Sequence, residues 1–315
     1  MPAIMTHDFF GRDVYDACFK SIGFTADDRD AFLLGNQGPD PLLYIILDRK
    51  LRPYTHLSTM MHTRHPSTLL VSMKNSVSEL SPEDQAIGRA YAAGFLCHYL
   101  LDSTLHPFVY AEEYAYCDAG VEGLDRSVGG YVHAEIERDL DEMVLYSKLH
   151  RTVATYKPYQ EILRLDEVAL SAISHMYVAT ILETYNKAIP EKLYQKAVHD
   201  FRRIQHLLYS QRGQKAQLLG NIEELFTKKP YSIDVALSHR PRASETSEFD
   251  NRDHKAWRNP FTKQISHDSF VDLYDEAYSR ACDDIDRYLS DGFDETAAEG
   301  LTGGLNFSGE PAKEQ

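Results

Sequence analysis

The chain of 315 residues lacks most features that define secreted, membrane-spanning or thiolate-metal proteins. Its four cysteines, Cys18, Cys97, Cys117 and Cys282, form no CxxC pair, so neither a disulfide framework nor a cysteine-bound zinc is indicated. No run of about 18 apolar residues occurs, and the first residues, MPAIMTHDFF, lack the basic and apolar parts of a secretory signal. The sequence therefore predicts a cytoplasmic protein without a transmembrane segment.

Positive charge is also scarce. The 33 Lys and Arg residues are outnumbered by 48 Asp and Glu residues, and the formal net charge is −15. This excess repels a phosphate backbone, and no basic arm or groove is evident, so nucleic acid is not an expected partner. The carboxylates and 14 histidines are suited instead to binding cations, whose charge would offset the excess locally.

Period-two alternation between hairpin turns is absent as well, whereas helical periodicity runs through most of the chain. The clearest helix is predicted from the SPED sequence, where Ser81 and Asp84 can form a capping box, and is expected to end by Pro107. Another carries YVHAEIERDLDEMVLYSKL after Gly130. Further helices are predicted near 12–22, 26–35, 42–50, 66–78, 166–188, 190–212 and 268–289. The pattern predicts an all-α, multi-helix bundle.

The organisation predicted from these elements is one helical domain over residues 1–290. A polar, proline-broken stretch at about 226–266, which contains Trp257, is predicted to be a long loop or lid. Disorder explains its SHRPRASETSEFD portion almost as well. The tail at 291–315 is rich in Gly, Glu and Ala and has few core-forming residues, so it is predicted to be disordered.

Potential metal ligands recur every four residues in HYLLDSTLH, at His98, Asp102 and His106. At about 100° per residue, successive members are offset by about 40°, so all three project from one face of a helix. Imidazole and carboxylate groups bind zinc and similar divalent ions. His133 and Glu137 repeat the spacing on the next long helix, although one such pair is also an ordinary helix-stabilising contact. Together, the two rows predict facing ligands.

Three further residues are candidates by context rather than by spacing. His7 lies in a short segment before the first predicted helix, Asp40 lies in the turn GNQGPDP, and His62 lies in MHTRHP before a proline-started helix. Buried Asp and His side chains are costly unless they are paired or bound to a metal, so their apolar surroundings call for partners. For Asp40, a solvated turn or a capping position is an open alternative.

The ordered set MTHDFFG, GNQGPDP, MHTRHP, GFLCHYLLDSTLHPF and HAEIERDLD resembles the zinc-dependent phospholipase C family, which is related to the fungal single-strand nucleases. The resemblance covers about residues 1–145. The sequence DHKAWRNPFTKQISHDSFVDLYDEA is similar to a C-terminal block of uncharacterised bacterial relatives. The resemblance implies an α-helical fold with three zinc ions, although the same nitrogen and oxygen ligands accept iron or manganese.

The resemblance also implies which residues hold each metal. The first metal would be held by Asp40, His62, His98 and Asp102. The second, more open one would be held by His106, His133 and Glu137. The third would be held by His7 and by Asp102, which bridges it to the first. Secreted members complete the third site with an N-terminal tryptophan; here, removal of Met1 would leave Pro2 to do so.

A phosphoric ester hydrolase, of phosphodiesterase type, is the predicted function. Clustered divalent metals lower the pKa of bound water from about 15.7 to about 7 and stabilise the attacking and leaving oxygens. Asp40 is predicted to orient or deprotonate the attacking water, and the expected substrate is a small-molecule phosphoester or a phospholipid. Characterised phospholipases place a choline-binding aromatic residue directly after the carboxylate that corresponds to Asp40. Here Pro41 follows, so choline specificity is not implied.

Several alternatives stay open at this point. A non-catalytic binding protein braced by metals would use the same ligands, although structural zinc sites usually have four protein ligands and the second set has three. A metallophosphomonoesterase is another. An HD-type phosphohydrolase is suggested by adjacent pairs at His7-Asp8, His199-Asp200 and His267-Asp268, but the ordered context of that motif is missing. Four aromatic residues fit either an apolar pocket or the core: Phe9, Phe10, Tyr44 and Tyr110.

Overall fold

The structure is a computed structural model that describes residues 4–208 and 241–313. Its α-helices are α1 (Ile4–Ile22), α2 (Ala26–Gly35), α3 (His56–Thr63), α4 (Pro66–Asn75), α5 (Gln85–Cys117), α6 (Gly129–Leu149), α7 (Pro158–Glu161), α8 (Glu167–Tyr185), α9 (Leu193–Leu208), α10 (Phe270–Tyr288) and α11 (Glu295–Thr302). Short 3₁₀ helices cover Asp40–Leu47, Arg52–Tyr54, Ser76–Glu79 and Arg126–Val128. The sheet in this part of the chain is one antiparallel pair, β1 (Trp257–Arg258) and β2 (Ile265–Ser266). The all-α prediction is confirmed, and none of the described helices is long and apolar enough to cross a membrane.

Helix α5 lies at the centre of the fold because it is apolar on almost every side. All residues from Tyr91 to Leu105 are buried. Helices α2, α6 and α10 pack around it. A helix that is hydrophobic all round needs neighbours on each of its faces, so α5 sets the positions of the elements that surround it.

Contrary to the prediction, α5 continues through Pro107 to Cys117. A proline inside a helix lacks the N–H that would bond to the carbonyl four residues earlier, and it costs about 3 kcal/mol. Phe108 and Val109, just beyond it, are buried, and burial of such side chains contributes about 1.5–3 kcal/mol each. Tertiary packing therefore outweighs the local cost. At the other end, the SPED sequence forms a turn in which the Ser81 hydroxyl bonds to the Asp84 carboxylate.

Helix α1 begins earlier than the predicted position 12, so His7 lies inside this helix and not in a segment before it. The early start is capped by Asp141 of α6. Its carboxylate accepts hydrogen bonds from the Met5 N–H at 3.0 Å, and from the Thr6 N–H and hydroxyl at 2.7 Å each. Unpaired N–H groups at a helix start need such an acceptor. The capping residue lies 135 residues away in the sequence, so no local sequence pattern indicates that α1 begins here.

Helices α2 and α5 are in backbone contact through two glycines. A Cβ on Gly35 would lie 2.3 Å from the Tyr91 carbonyl oxygen, and one on Gly94 would lie 2.1 Å from the Phe32 carbonyl oxygen. Only glycine permits this approach, because any other side chain would push the helices apart. The contact brings the turn that follows α2 against the part of α5 that carries His98.

The prediction of a disordered tail is wrong for residues 293–313. Asp294 caps α11 by accepting a hydrogen bond from the Ala297 N–H at 2.9 Å. Phe293, Ala298 and Phe307 are almost completely buried. The segment has few apolar residues, but it packs onto a core that the rest of the chain has already formed, so those few are sufficient.

The predicted loop at 226–266 is described from residue 241 onwards, and 226–240 lies outside the described residues, as does the predicted end of the 190–212 helix. From 241 to 256 the chain is irregular but packed. Arg242 and Ser247 both donate hydrogen bonds to the Asp139 carboxylate on α6. A hairpin formed by β1 and β2 follows. The disorder alternative for this portion is therefore wrong within the described residues.

Candidate metal centre

The predicted metal ligands lie together around α5, except for Pro2, which lies outside the described residues. They come from α1, the turn after α2, α3, α5 and α6, and most are buried. They form three groups, each with its ligand atoms within 4.8 Å of one another: His7, Asp40 and His98; His62, His98 and Asp102; and His106, His133 and Glu137. His98 belongs to two of the groups, so the first two are one continuous cluster.

Asp102 lies at the centre of the cluster, and its side chain contacts four imidazoles. Its Oδ1 lies 3.1 Å from His7 Nε2 and 3.8 Å from His106 Nδ1. Its Oδ2 lies 3.3 Å from His98 Nε2 and 3.7 Å from His62 Nε2. A buried carboxylate surrounded in this way needs positive charge close to both oxygens. Divalent cations held by Asp102 and these histidines would supply it.

The outward-facing nitrogens of four of these histidines are hydrogen-bonded to fixed acceptors. The Nδ1 donors and their acceptors are His62 to the Ser58 carbonyl (2.8 Å), His98 to the Asn36 carbonyl (3.0 Å), His106 to the Phe307 carbonyl (2.8 Å) and His133 to Glu113 Oε2 (3.0 Å). A carbonyl oxygen only accepts, so Nδ1 carries the proton and Nε2 has the lone pair. Metal-binding histidines in proteins are held in the same way.

The ionisation of the cluster also fits a cation site. Burial lowers the pKa of His98 to about 4, so this ring is neutral. Burial opposes ionisation of Asp102 and Glu137, but nearby positive charge, which includes that of the neighbouring histidines, holds both pKa values well below the usual range. Burial alone would lower the pKa of His7, yet on balance its contact with Asp102 raises it. Protons therefore provide the compensating charge that a divalent ion would replace.

All of the described ligands except His98 line a cavity of about 230 Å³. Its other lining residues are Leu43, Ser58, Thr59, Thr63, Tyr110 and Ser308. Within the described chain, neither Lys nor Arg lines it. Its volume is below the range of about 300–1,000 Å³ that is usual for small-molecule pockets, so it fits a phosphoryl group and its nearest substituents. Tyr110 is the one member of the four aromatic candidates that lines the cavity, because Phe9, Phe10 and Tyr44 are buried in the core.

Two residues of the centre were not predicted. Glu113 binds the outer nitrogen of His133, and it continues the row of His98, Asp102, His106 and Tyr110 along α5 at helical spacing. That spacing is a signal from which Glu113 could have been predicted. Phe307 lies in the tail that was predicted to be disordered, and nothing in its local sequence indicates its place beside His106.

The adjacent His-Asp pairs do not form a second site in the described residues. Asp8 pairs with Arg12 at 2.7 Å, and Asp200 pairs with Arg203 at 3.1 Å. His199 contacts Glu167, and the His267 ring contacts the His254 carbonyl. His7 alone belongs to a ligand group, without Asp8. The structure therefore offers no support for an HD-type site.

Comparison with known proteins identifies no relative, because no family model, curated protein or solved structure matches the chain. The chemistry of the centre is therefore inferred from its own donor atoms and geometry.

Proposed function

We propose that this protein is a metal-dependent phosphoric ester hydrolase that binds two or three divalent ions. The observation that carries the proposal is Asp102, one buried carboxylate shared by four imidazoles at 3.1–3.8 Å. Zinc suits this set of nitrogen and oxygen ligands, and iron and manganese are alternatives. When bound, such ions lower the pKa of water and stabilise charge on the phosphoryl oxygens.

The two sides of the centre differ in how many protein ligands they provide. Asp40, His62, His98 and Asp102 are proposed as a four-ligand set, because Asp40 Oδ1 and Asp102 Oδ2 both lie within 3.7 Å of His62 Nε2 and Asp102 Oδ2 lies 3.3 Å from His98 Nε2. His7 contacts the other oxygen of Asp102, Oδ1, at 3.1 Å, and it also lies close to Asp40 and His98. His106, His133 and Glu137 form a set of three. Catalytic zinc sites keep three protein ligands and leave one position for water or substrate, whereas structural sites have four. The three-ligand set therefore favours catalysis over a metal-braced binding protein.

Asp40 is proposed to orient the attacking water and to accept its proton. It lines the cavity, and its Oδ1 lies 3.2 Å from His62 Nε2. Burial opposes its ionisation, but His62 and His98 hold its pKa below the usual value, so it is an anion at neutral pH. A carboxylate within reach of the cavity can orient a water molecule and take its proton.

The charge of the cavity favours a phosphodiester over a phosphomonoester. A monoester carries a second negative charge, and beyond the proposed metals no Lys or Arg among the described lining residues would pair with it. Enzymes that bind phosphate dianions commonly use arginine for this purpose. A choline ester is not supported, because quaternary ammonium groups are recognised by cages of aromatic rings, and Tyr110 is the only Phe, Tyr or Trp among the described residues that line the cavity.

The test combines elemental analysis of the purified protein with hydrolysis of bis(p-nitrophenyl) phosphate and p-nitrophenyl phosphate. We expect two or three equivalents of zinc, iron or manganese, and turnover of the diester in preference to the monoester. Chelation should abolish the turnover, and added metal should restore it. Bound metal without turnover of either ester, or of phospholipids, would establish the non-catalytic alternative. Faster hydrolysis of the monoester would establish a phosphomonoesterase.

A further inference from the structure

The last described residues of the chain, 306–313, which we call the strap, form a turn at 307–310 and a short bridged segment beside the metal centre. The Phe307 N–H donates to the His62 carbonyl at 3.1 Å, and the Lys313 N–H donates to the Thr63 carbonyl at 3.1 Å. The strap is thus bonded to the end of α3, the helix that carries His62. It leaves α11 through a turn at Gly303 and Gly304.

Phe307 contacts the ligands of both sides of the centre. Its side chain is fully buried, and its ring centroid lies 5.1 Å from that of His62 and 5.7 Å from that of His98. Its backbone carbonyl accepts the hydrogen bond from His106 Nδ1 at 2.8 Å. One residue therefore packs against the four-ligand set and hydrogen-bonds to the three-ligand set.

His106 lies between the carboxylates of Asp102 and Glu137. Its hydrogen bond to the Phe307 carbonyl determines which ring nitrogen has the free lone pair, and therefore on which carboxylate's side the ring can bind a metal. Nδ1 of His106 lies 3.8 Å from Asp102 Oδ1, and Nε2 lies 3.4 Å from Glu137 Oε1. Because the carbonyl only accepts, Nδ1 carries the proton and its lone pair is not available to a metal. His106 can bind a metal only through Nε2, on the side of Glu137.

The strap reaches this position through a close approach at Gly309. A Cβ on Gly309 would lie 2.5 Å from Pro107 Cγ and 2.8 Å from the Ser103 carbonyl oxygen, which Pro107 cannot bond because it has no N–H. The Asn306 side-chain oxygen accepts from the N–H groups of Ser308 at 2.9 Å and Glu310 at 3.1 Å, which fixes the turn. The proline inside α5 and the glycine of the strap therefore fit each other.

We propose that the 306–313 strap is a positioning element of the metal centre, which commits His106 to the ligand set of His133 and Glu137. The inference rests on the proposed metal centre and is independent of the reaction that the centre performs. It accounts for a folded chain end whose composition is poor in core-forming residues. Displacing the strap should weaken the three-ligand set first, because His106 would lose the partner that fixes its ring.

The test compares Gly309→Ala with Gly304→Ala in the full-length chain. Both glycines have positive φ, +68° and +73°, so alanine strains the backbone similarly at either position. A Cβ on Gly309 collides with Pro107, whereas nothing lies within 4 Å of one on Gly304. We expect Gly309→Ala to bind one metal equivalent about 10–100-fold more weakly, as loss of a partner of a ligating histidine does. Gly304→Ala should retain its metal affinity.

Metal content by elemental analysis and affinity by competition with a chelator are the readouts, so no ester substrate is required. The second readout is the tautomer of His106 in ¹⁵N-histidine-labelled apoprotein, where the proton should lie on Nδ1 in the wild type and leave it in Gly309→Ala. Asn306→Ala, which loosens the turn without a collision, replaces Gly309→Ala if that variant does not fold. Unchanged affinity and tautomer in a folded Gly309→Ala or Asn306→Ala variant would overturn the proposal, as would equal losses in Gly304→Ala. An inactive protein with normal metal binding would contradict the phosphoesterase but not the strap.

Discussion

At the scale of single residues, Asp102 is the side chain on which the centre depends most. Asp102→Asn keeps the shape but replaces one oxygen by a nitrogen that cannot bind a metal, and it removes the charge that four imidazoles share. We expect loss of two metal equivalents and of diester hydrolysis, because one carboxylate would bridge both ions. Elemental analysis and steady-state rates measure this. Asp200→Asn is the matched control, since Asp200 is a buried carboxylate outside the ligand groups. Full metal content and rate in Asp102→Asn would refute the assignment.

Glu113 is the residue that orients His133, and Glu113→Gln separates its charge from its shape. Glutamine can still accept a hydrogen bond from His133 Nδ1, but it no longer makes the imidazole a stronger ligand. We expect affinity for one metal equivalent to fall about 10–100-fold. Chelator competition measures the affinity. Glu112→Gln, at the neighbouring half-buried position, should bind metal as the wild type does, and equal affinities in both variants would exclude the role of Glu113.

At the scale of elements, the turn that presents Asp40 is anchored by buried tyrosine hydroxyls. Tyr177 and Tyr194 both donate to the Gly38 carbonyl, at 2.9 and 3.0 Å, and Tyr91 donates to the Tyr194 hydroxyl at 2.8 Å. Tyr177→Phe removes one anchor and costs about 1–2 kcal/mol of stability. We expect kcat for the diester to fall while metal content stays the same, because Asp40 would be held less firmly.

The control for this prediction is Tyr288→Phe. The Tyr288 hydroxyl is equally buried and donates to the Leu70 carbonyl at 2.9 Å, away from the ligands. Both variants should lose similar stability in thermal unfolding, whereas only Tyr177→Phe should lose rate. If the rates of the two variants fall in parallel with their stabilities, the tyrosine anchor has no specific role in catalysis.

At the scale of the whole molecule, features that depend on residues close in sequence could be predicted, and features that depend on residues far apart in sequence could not. The bounds of α6 and the row of His98, Asp102 and His106 were predictable because periodicity is a local signal. The start of α1 and the position of the strap were not, since they depend on Asp141 at 135 residues and on Phe307 at 201 residues from their partners. Pro107 misled the prediction for the same reason. Its cost is local, and the packing that offsets it is not.

Metal removal should destabilise the whole fold, and the free energy of unfolding that is lost should increase with pH. In the apoprotein burial lowers the pKa values of His7, His62 and His133, but their carboxylate partners raise them on balance above the usual 6.5. A raised pKa in the folded state gives stability that is present below about 6.5 and is lost as pH rises through the raised values. Metal affinity increases as the pH rises, because protons no longer compete with the metal for the ligand atoms. At a free metal concentration 100 times Kd, each ion adds about 2.7 kcal/mol.

Thermal unfolding of the chelator-treated and metal-loaded protein measures this difference. We expect a melting temperature that is higher with metal by about 5 °C or more at neutral pH, which follows from about 2 °C per kcal/mol in a protein larger than 250 residues. The gap should widen from pH 6 to pH 8, because the apoprotein loses its histidine–carboxylate pairs while the loaded protein does not. If the difference in melting temperature becomes smaller from pH 6 to pH 8, bound cations do not balance the charge of the buried carboxylates.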